Sequence, residues 1–418
     1  MRWLGEYVRA YDPGLPRIVW VLQLGVFVNF FGNGLVAPFL VLYLHFGRGL
    51  PIGVAAAAIA TGGITAVTAG FVAGWAADRI GPKRVLVFGM TSNAIAYALY
   101  ITVREPWQAF AVASLVGLGT GCYGPSSQSL LSALVPADRR HRVFAQNRLT
   151  SLIGLGTGGL VGGFIAAGGR PSDYEFLLTL DVITFVSFAL VVTALRASSR
   201  GMGKAMTGHY IDALRDPALL RLGLVNVALV AAAIAPMLVL VPAYLKTHAQ
   251  VAESAIGAIY TLNTLTVLVA QLPMARLVEG RRRMPLLAAG AGLWVVSWSL
   301  LFTAGAAFTG TAAIAIATLA IVLYGLGESL YALIVTPTVA SLAPDALRGR
   351  YLAVLGLTWQ GGFMIGPAIG GQLVPLDAFA LPAFGIAGVA FAGLMTLRLE
   401  GTLPLEHRGT PRAKKLAA

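Results

Sequence analysis

The sequence predicts an all-α membrane protein of twelve transmembrane helices, arranged as two pseudo-symmetric bundles of six. Three observations carry this. Of the 418 residues, 57% are hydrophobic and only 11% charged, with 50 glycines and a mean hydropathy of +0.78, which excludes an ordinary soluble globule. Apolar runs long enough to cross about 30 Å of hydrocarbon recur twelve times along the chain. The chain also repeats itself: Gly154 to Gly163 reads GLGTGGLVGG and Gly362 to Gly371 reads GFMIGPAIGG, and the same offset of 208 residues aligns Arg142 with Arg350, Arg140 with Arg348, Pro136 with Pro344, Tyr123 with Tyr331 and Gly117 with Gly325. A repeat of that length in an apolar chain marks a duplicated membrane bundle.

The first span runs over roughly 18–45. It is too long for a signal-peptide core and has no convincing small-residue cleavage site, so it reads as a retained helix. Spans two to six cover about 54–77, 85–103, 109–135, 143–168 and 176–195. The longest connection follows: ASSRGMGKAMTG reads as a flexible linker and HYIDALRDPALLRLG as a short surface helix. Spans seven to twelve cover about 219–245, 254–277, 285–307, 312–341, 351–374 and 379–397. The expected domains are therefore a bundle over 1–195, a cytoplasmic linker over 196–218, a second bundle over 219–400 and a basic tail over 401–418.

The formal net charge of +13 would fit a nucleic-acid partner if the basic residues formed one patch, but they fall in short clusters between apolar runs. They are topology signals. With both termini on one side, only Arg48, Arg104, Arg170 and Lys246 of the 30 Lys and Arg fall on the other, so the positive-inside rule makes both termini cytoplasmic in the cell membrane. Cys122 is the single cysteine, which excludes an internal disulfide and a multi-cysteine metal site. No His/Asp/Glu cluster has metal-ligand spacing and no nucleophile stands beside a base, so neither an enzyme, a metal nor a cofactor is expected. The GLGTG strings at 117 and 154 lie inside apolar spans with no strand before them, which rejects a dinucleotide loop. Glycine pairs such as Gly154/Gly158 and Gly362/Gly366 instead let helix backbones approach closely.

Between spans two and three stands Gly74-Trp-Ala-Ala-Asp78-Arg79-Ile-Gly81-Pro-Lys83-Arg84. Gly74 permits close packing as the helix ends, Gly81 and Pro82 make the turn, and the basic pair marks the cytoplasmic face. Asp78 is the odd residue, because an acid at a membrane boundary needs a cation or a helix N-terminus. This loop resembles the signature loop of the major facilitator superfamily, and the resemblance implies two six-helix bundles around a central cavity, alternating access, and contact of Asp78 with the start of helix eleven near Tyr351. Pairing of Asp78 with Arg79 or Lys83 is the local alternative. The second-half copy of the glycine motif, with Gly362, Gly366, Pro367 and Gly370, resembles the fifth-helix motif of drug/proton antiporters, displaced onto helix eleven; the first-half copy has Gly159 where proline is expected. Its role would be a pliable hinge at the interface between halves. The basic residue of helix four is absent from Leu115 to Gly121.

The resemblance places helices one, four, seven and ten along the cavity. Candidate cargo contacts are then Asn29 and Asn33 on helix one, Tyr123 and Gln128 on helix four, Asn226 on helix seven, and Tyr324 and Tyr331 on helix ten. Asn33 is preferred over Asn29. Glu328 is the one carboxylate near the centre of a span assigned to the cavity, and Tyr324 and Tyr331, four before and three after, project from the same face and could hydrogen-bond it. An ionised acid at that depth costs ~2.5 to 3.5 kcal/mol on the insertion scale, so Glu328 is the proton-coupling candidate. Asp181, placed toward the outer end of helix six, reads as a snorkelling or capping acid, and Arg148 as a snorkelling base. An apolar, aromatic lining with one acid fits a hydrophobic or amphipathic cation better than a sugar. The expected function is proton-coupled export of drug-like or secondary-metabolite molecules by a monomer; the alternatives are an importer or facilitator of a small metabolite and a non-transporting membrane sensor.

Overall fold

A computed structural model describes residues 17–135, 139–195, 213–344, 347–403 and 408–409. Each of the twelve apolar runs becomes a helix: α1 Arg17–Val36, α2 Ile52–Ile80, α3 Pro82–Tyr100, α4 Pro106–Leu134, α5 Arg140–Ile165, α6 Pro171–Ala194, α7 beginning as Pro217–Leu229, α8 Glu253–Val278, α9 Arg283–Ala307, α10 Gly310–Leu342, α11 Arg348–Leu373 and α12 Ala380–Glu400. Ten are long and apolar enough to cross a membrane. The remaining two, α3 and α4, are diluted by Lys83 and Arg84 in the first case and by glycine, serine and glutamine in the second. Most of the expected 196–218 linker and of the 401–418 tail lies outside the described residues.

Helix ends follow local chemistry. Proline opens α3, α4, α6 and α7, where a missing N–H costs nothing. Asp216 accepts from Ala218 N at 2.8 Å and caps α7. Gly81 alone joins α2 to α3, with φ +91° and ψ 144°, a conformation that a side chain would strain.

The first and seventh spans are not the continuous helices expected. Pro38 has no N–H to donate and stops α1 at Val36; the chain resumes as Leu40–Leu42 and a wide π turn over Tyr43–Gly47. The seventh span passes through a π turn at Val230–Ile234 and two short helices, Ala235–Val239 and Val241–His248. Pro236 cannot donate to the carbonyl four residues before it, Ala232 O, and Trp298 Nε1 donates there instead at 3.0 Å.

The chain divides into two compact units, Met1–Pro51 with Thr61–Lys204, and Ile52–Ala60 with Ala205–Ala418. In the first, α1 packs on α5 and α6, and α3 on α4 and α6; in the second, α7 packs on α11 and α12, and α9 on α10 and α12. The pairing is the same, and single contacts repeat with it. The Tyr43 hydroxyl donates to Tyr100 O at 3.3 Å and the Tyr244 hydroxyl to Leu301 O at 3.2 Å. Those pairs lie 201 residues apart, whereas α5 and α11 begin and end 208 apart. Seven extra residues between Leu301, inside α9, and Gly325, on α10, account for the difference, which is why the ungapped sequence repeat begins only at Gly117/Gly325.

The glycine stripes pack within their own units. A Cβ at Gly154 would stand 2.7 Å from Phe27 O and one at Gly162 2.6 Å from Leu35 O, both on α1. On α11 a Cβ at Gly362 would stand 2.5 Å from Val230 Cβ, at Gly366 2.5 Å from Ala231 O, and at Gly370 2.6 Å from Leu240 Cδ1. Gly158 likewise lies on Phe31 O. The expectation that these glycines contact the opposite half is corrected: they bring α5 onto α1 and α11 onto the wide turn of α7. Pro367 is accommodated inside an unbroken α11.

Candidate functional site

Glu328 stands near the middle of α10, half-buried, and its Oε2 accepts from Asn263 Nδ2 on α8 at 3.3 Å. Asn263 reaches that position because Gly325, one turn earlier on α10, has no side chain: a Cβ there would lie 2.8 Å from Asn263 Oδ1. The same amide oxygen is buried and accepts no hydrogen bond among the described residues. At the repeat-related positions of the first unit stand Gly62 and Thr120, so the acid–amide pair belongs to one unit alone.

Tyr331 shares Glu328's face of α10, but its hydroxyl serves a different partner from the one expected. It donates to Asn226 Oδ1 at 2.5 Å, and Asn226 Nδ2 donates to Thr358 Oγ1 at 2.9 Å. Thr358 completes the relay by donating to Leu355 O at 2.8 Å. A fully buried amide thus ties α7, α10 and α11 together, as a buried polar group must be paired to be tolerated. Asn226 is interhelical connection first.

Tyr324 and Tyr331, which flank the acid on α10, belong to an aromatic tier. Trp294 stacks on Tyr324 with centroids 5.6 Å apart and donates its Nε1 to Tyr324 O at 3.0 Å. Tyr331 lies 6.0 Å from Trp359, which stacks on Phe363 at 5.6 Å. Trp359 and Phe363 remain partly exposed on α11. Sequence reasoning did not name Trp359, Phe363, Thr358 or Asn263, because α8 and α11 were not expected to line the cavity; the Trp-Gln pair just before the glycine motif was the available signal.

The first-unit candidates sit differently. Tyr123, the repeat partner of Tyr331, packs edge-on to Phe30 at 5.9 Å, with its hydroxyl buried. Asn33 donates to Asn29 O at 2.8 Å and is satisfied within α1, whereas Asn29 is 3% exposed and its Oδ1 is unpartnered among the described residues. The unmet polar atom is Asn29's, against the preference for Asn33. Gln128 is exposed, on a cleft shared with Ser127 and Asn147.

The loop motif divides into separate tasks. Asp78 is exposed. Arg79 stacks over Trp75 at 4.3 Å, and Lys83 Nζ donates to Thr193 O at 2.8 Å and Leu195 O at 2.7 Å, capping the end of α6. Both cations proposed as local partners for Asp78 are therefore engaged elsewhere. Gly74 has open space around it, contrary to the close packing expected, and Arg84 is exposed. The Tyr351 hydroxyl donates to Asp216 Oδ2 at 2.9 Å.

Asp181 and its surroundings also depart from expectation. The carboxyl is fully buried near the middle of α6, so it neither snorkels nor caps.

The family model described as Major Facilitator Superfamily matches residues 22–246 and 222–417. The MFS-type transporter YqjV of Bacillus subtilis is 23% identical over 387 residues, covering 90% of this chain and 92% of that protein. A Na(+), Li(+), K(+)/H(+) antiporter of Planococcus maritimus is 25% identical over 80% of this chain and 84% of its own. Multidrug resistance protein MdtG of Dickeya zeae is 28% identical over 44% and 46%. The crystal structure of the nucleoside transporter NupG superposes with a TM-score of 0.74 at 14% identity, covering 92% of this chain and 99% of that one.

Proposed function

The chain belongs to the Major Facilitator Superfamily, and from that premise we propose that this multi-pass secondary transporter exports hydrophobic or amphipathic cations in exchange for protons by alternating access. The observation that carries the reading is Glu328: a half-buried acid at mid-span that accepts from the Asn263 amide, with a partly exposed aromatic tier reached through Tyr331. Ionised, the carboxylate attracts a cationic cargo whose apolar body lies on Trp359 and Phe363, where ring faces add cation–π attraction of about 0.5–2 kcal/mol. Protonated, it loses that attraction. Cargo and proton therefore compete for one group, which is sufficient for exchange. The multidrug and cation/proton names among the relatives support this direction and this coupling. The distribution of Lys and Arg supports cytoplasmic termini for a protein of the plasma membrane.

A second reading has its own observation. The buried Asn263 Oδ1 beside the carboxylate is an unused oxygen donor, which fits a monovalent metal cation as cargo. Proteoliposomes carrying a pH gradient separate the two. Uptake of a lipophilic cationic dye is expected in the wild type and its loss in Glu328→Gln, which keeps the shape and removes the titration. Gradient-driven dye movement that survives in Glu328→Gln with the same pH dependence overturns the assignment, and sodium or potassium exchange without dye movement selects the second reading.

A further inference from the structure

Asp181 is an intramembrane acid with no part in the function just proposed. It follows Pro171 by ten residues and precedes Ala194 by thirteen, about 15 Å and 20 Å at ~1.5 Å per residue, and none of it is exposed. The Thr184 hydroxyl, one turn along the same helix, lies 2.8 Å from both Oδ1 and the Asp181 backbone oxygen, with one proton to donate between them. Oδ2 is buried and accepts from nothing among the described residues.

Among the described residues, the elements packed on α6 bring no cation to the carboxyl. α1 lays Gly32 directly over it, so that a Cβ there would collide with Asp181 Oδ1 and Thr184 Oγ1; α1 carries no charged residue after Arg17. α3 brings Tyr97 into electrostatic range, with Tyr100 next to it, and its own Lys83 is held at the far end of α6 by Thr193 and Leu195. The turn after α1 contributes Tyr43, His45 and Arg48, and Arg48 pairs with Glu175 at 2.8 Å in the first turn of α6. α5 touches α6 lightly, and its Arg148 is exposed. In the second unit the positions related to Asp181 and Thr184 are Val389 and Ala392. The polar pair is therefore no requirement of the bundle architecture.

A carboxylate left with an unsatisfied oxygen and no cation is strongly disfavoured at this depth. A metal ion would need several oxygens around it at roughly 2.0–2.6 Å, and among the described residues Thr184 is the one side chain besides Asp181 that brings an oxygen bonded there, under the Cα of Gly32. A proton needs no such space. We propose that Asp181 is a proton-binding site of the first unit, separate from Glu328, occupied while α1 lies against α6 and emptied when α1 moves away. The hinge for that movement is close: Gly32 stands four residues before Val36, where α1 breaks at Pro38. By linkage, whatever shifts α1 shifts proton occupancy, and protonation in turn holds α1 on α6.

Infrared difference spectroscopy of the purified protein at neutral pH reads the site directly. The wild type is expected to show a protonated-carboxyl band that Asp181→Asn lacks and Glu328→Gln keeps. Thr184→Val is expected to shift that band without removing it, because Oδ1 loses the hydroxyl within hydrogen-bond distance of it. The second readout is thermal unfolding against pH. An acid that keeps its proton when folded and loses it when unfolded makes stability fall as pH rises, and Asp181→Asn is expected to remove one proton's worth of that slope. Loss of an ionised-carboxylate band in Asp181→Asn, or an unchanged slope, overturns the proposal. Neither readout involves cargo, so failure of the export reading leaves this result standing, and the reverse holds as well.

Discussion

Removing the Tyr331 hydroxyl tests the buried polar connection through Asn226 that joins α7, α10 and α11. Tyr331→Phe keeps the ring against Trp294 and Trp359 and deletes only the donor to Asn226 Oδ1, at 2.5 Å in the wild type. Asn226 is 0% exposed, so no bulk water replaces the lost partner. The cost is then the desolvation of an unmet buried acceptor, ~1–3 kcal/mol, more than the ~0.5–1.5 kcal/mol of an average exchanged hydrogen bond. For a cooperative body of about 150–250 residues each kcal/mol moves Tm by roughly 2–4 °C, so a fall of about 4–8 °C is expected for a mid-range cost. A double-mutant cycle sharpens the test. Asn226→Leu removes the acceptor and its donation to Thr358, whose hydroxyl keeps Leu355 O. The double variant Tyr331→Phe/Asn226→Leu should therefore cost less than the sum of the singles, because the second change deletes the group that the first leaves unmet. Thermal unfolding in one detergent, followed by tryptophan fluorescence, measures all four corners. Additive effects, or a Tyr331→Phe variant with wild-type Tm, would refute the pairing.

Two further changes probe packing and capping. Gly366→Leu places its Cβ about where Ala231 O and Pro236 Cδ stand, at 2.5 and 3.1 Å; since one neighbour is backbone, α11 and α7 must separate, at a cost of at least ~1–3 kcal/mol. Dye export should fall to background while the protein still reaches the membrane, and wild-type export would place the stripe elsewhere. Lys83→Met keeps the aliphatic stem and frees Thr193 O and Leu195 O, a loss of about 0.3–1 kcal/mol for an exposed helix terminus. Hydrogen exchange is expected to speed up in the last turn of α6 and to stay unchanged in α1, and uniform protection across both would show that the cap contributes nothing.

Much of this architecture was legible from residues in order. Inside hydrocarbon a backbone can satisfy its N–H and C=O groups only within its own helix, so a run of about 20 apolar residues fixes a helix without reference to any neighbour. The 208-residue offset likewise named the α5/α11 correspondence, since both helices are 26 residues long and start at repeat-related arginines. Helical spacing placed Tyr324, Glu328 and Tyr331 on one face. What spacing could not supply was the partner. Three and four residues along a helix span an arc wide enough to face two neighbours, and only the approach of α7 sent the Tyr331 hydroxyl to Asn226. The glycine stripes were readable as contact surfaces, but the partner, α1 for α5 and the wide turn of α7 for α11, depended on where Pro38 and Pro236 broke the facing spans. Asp181 shows the same division. Its distance along α6 could be counted, yet its surroundings depend on Gly32 of α1 and Tyr97 of α3, residues 149 and 84 positions away in the chain. The energy of an isolated helix in lipid depends on its own composition, whereas the environment of a buried polar atom depends on which helices close over it, and that is decided only when the bundle packs.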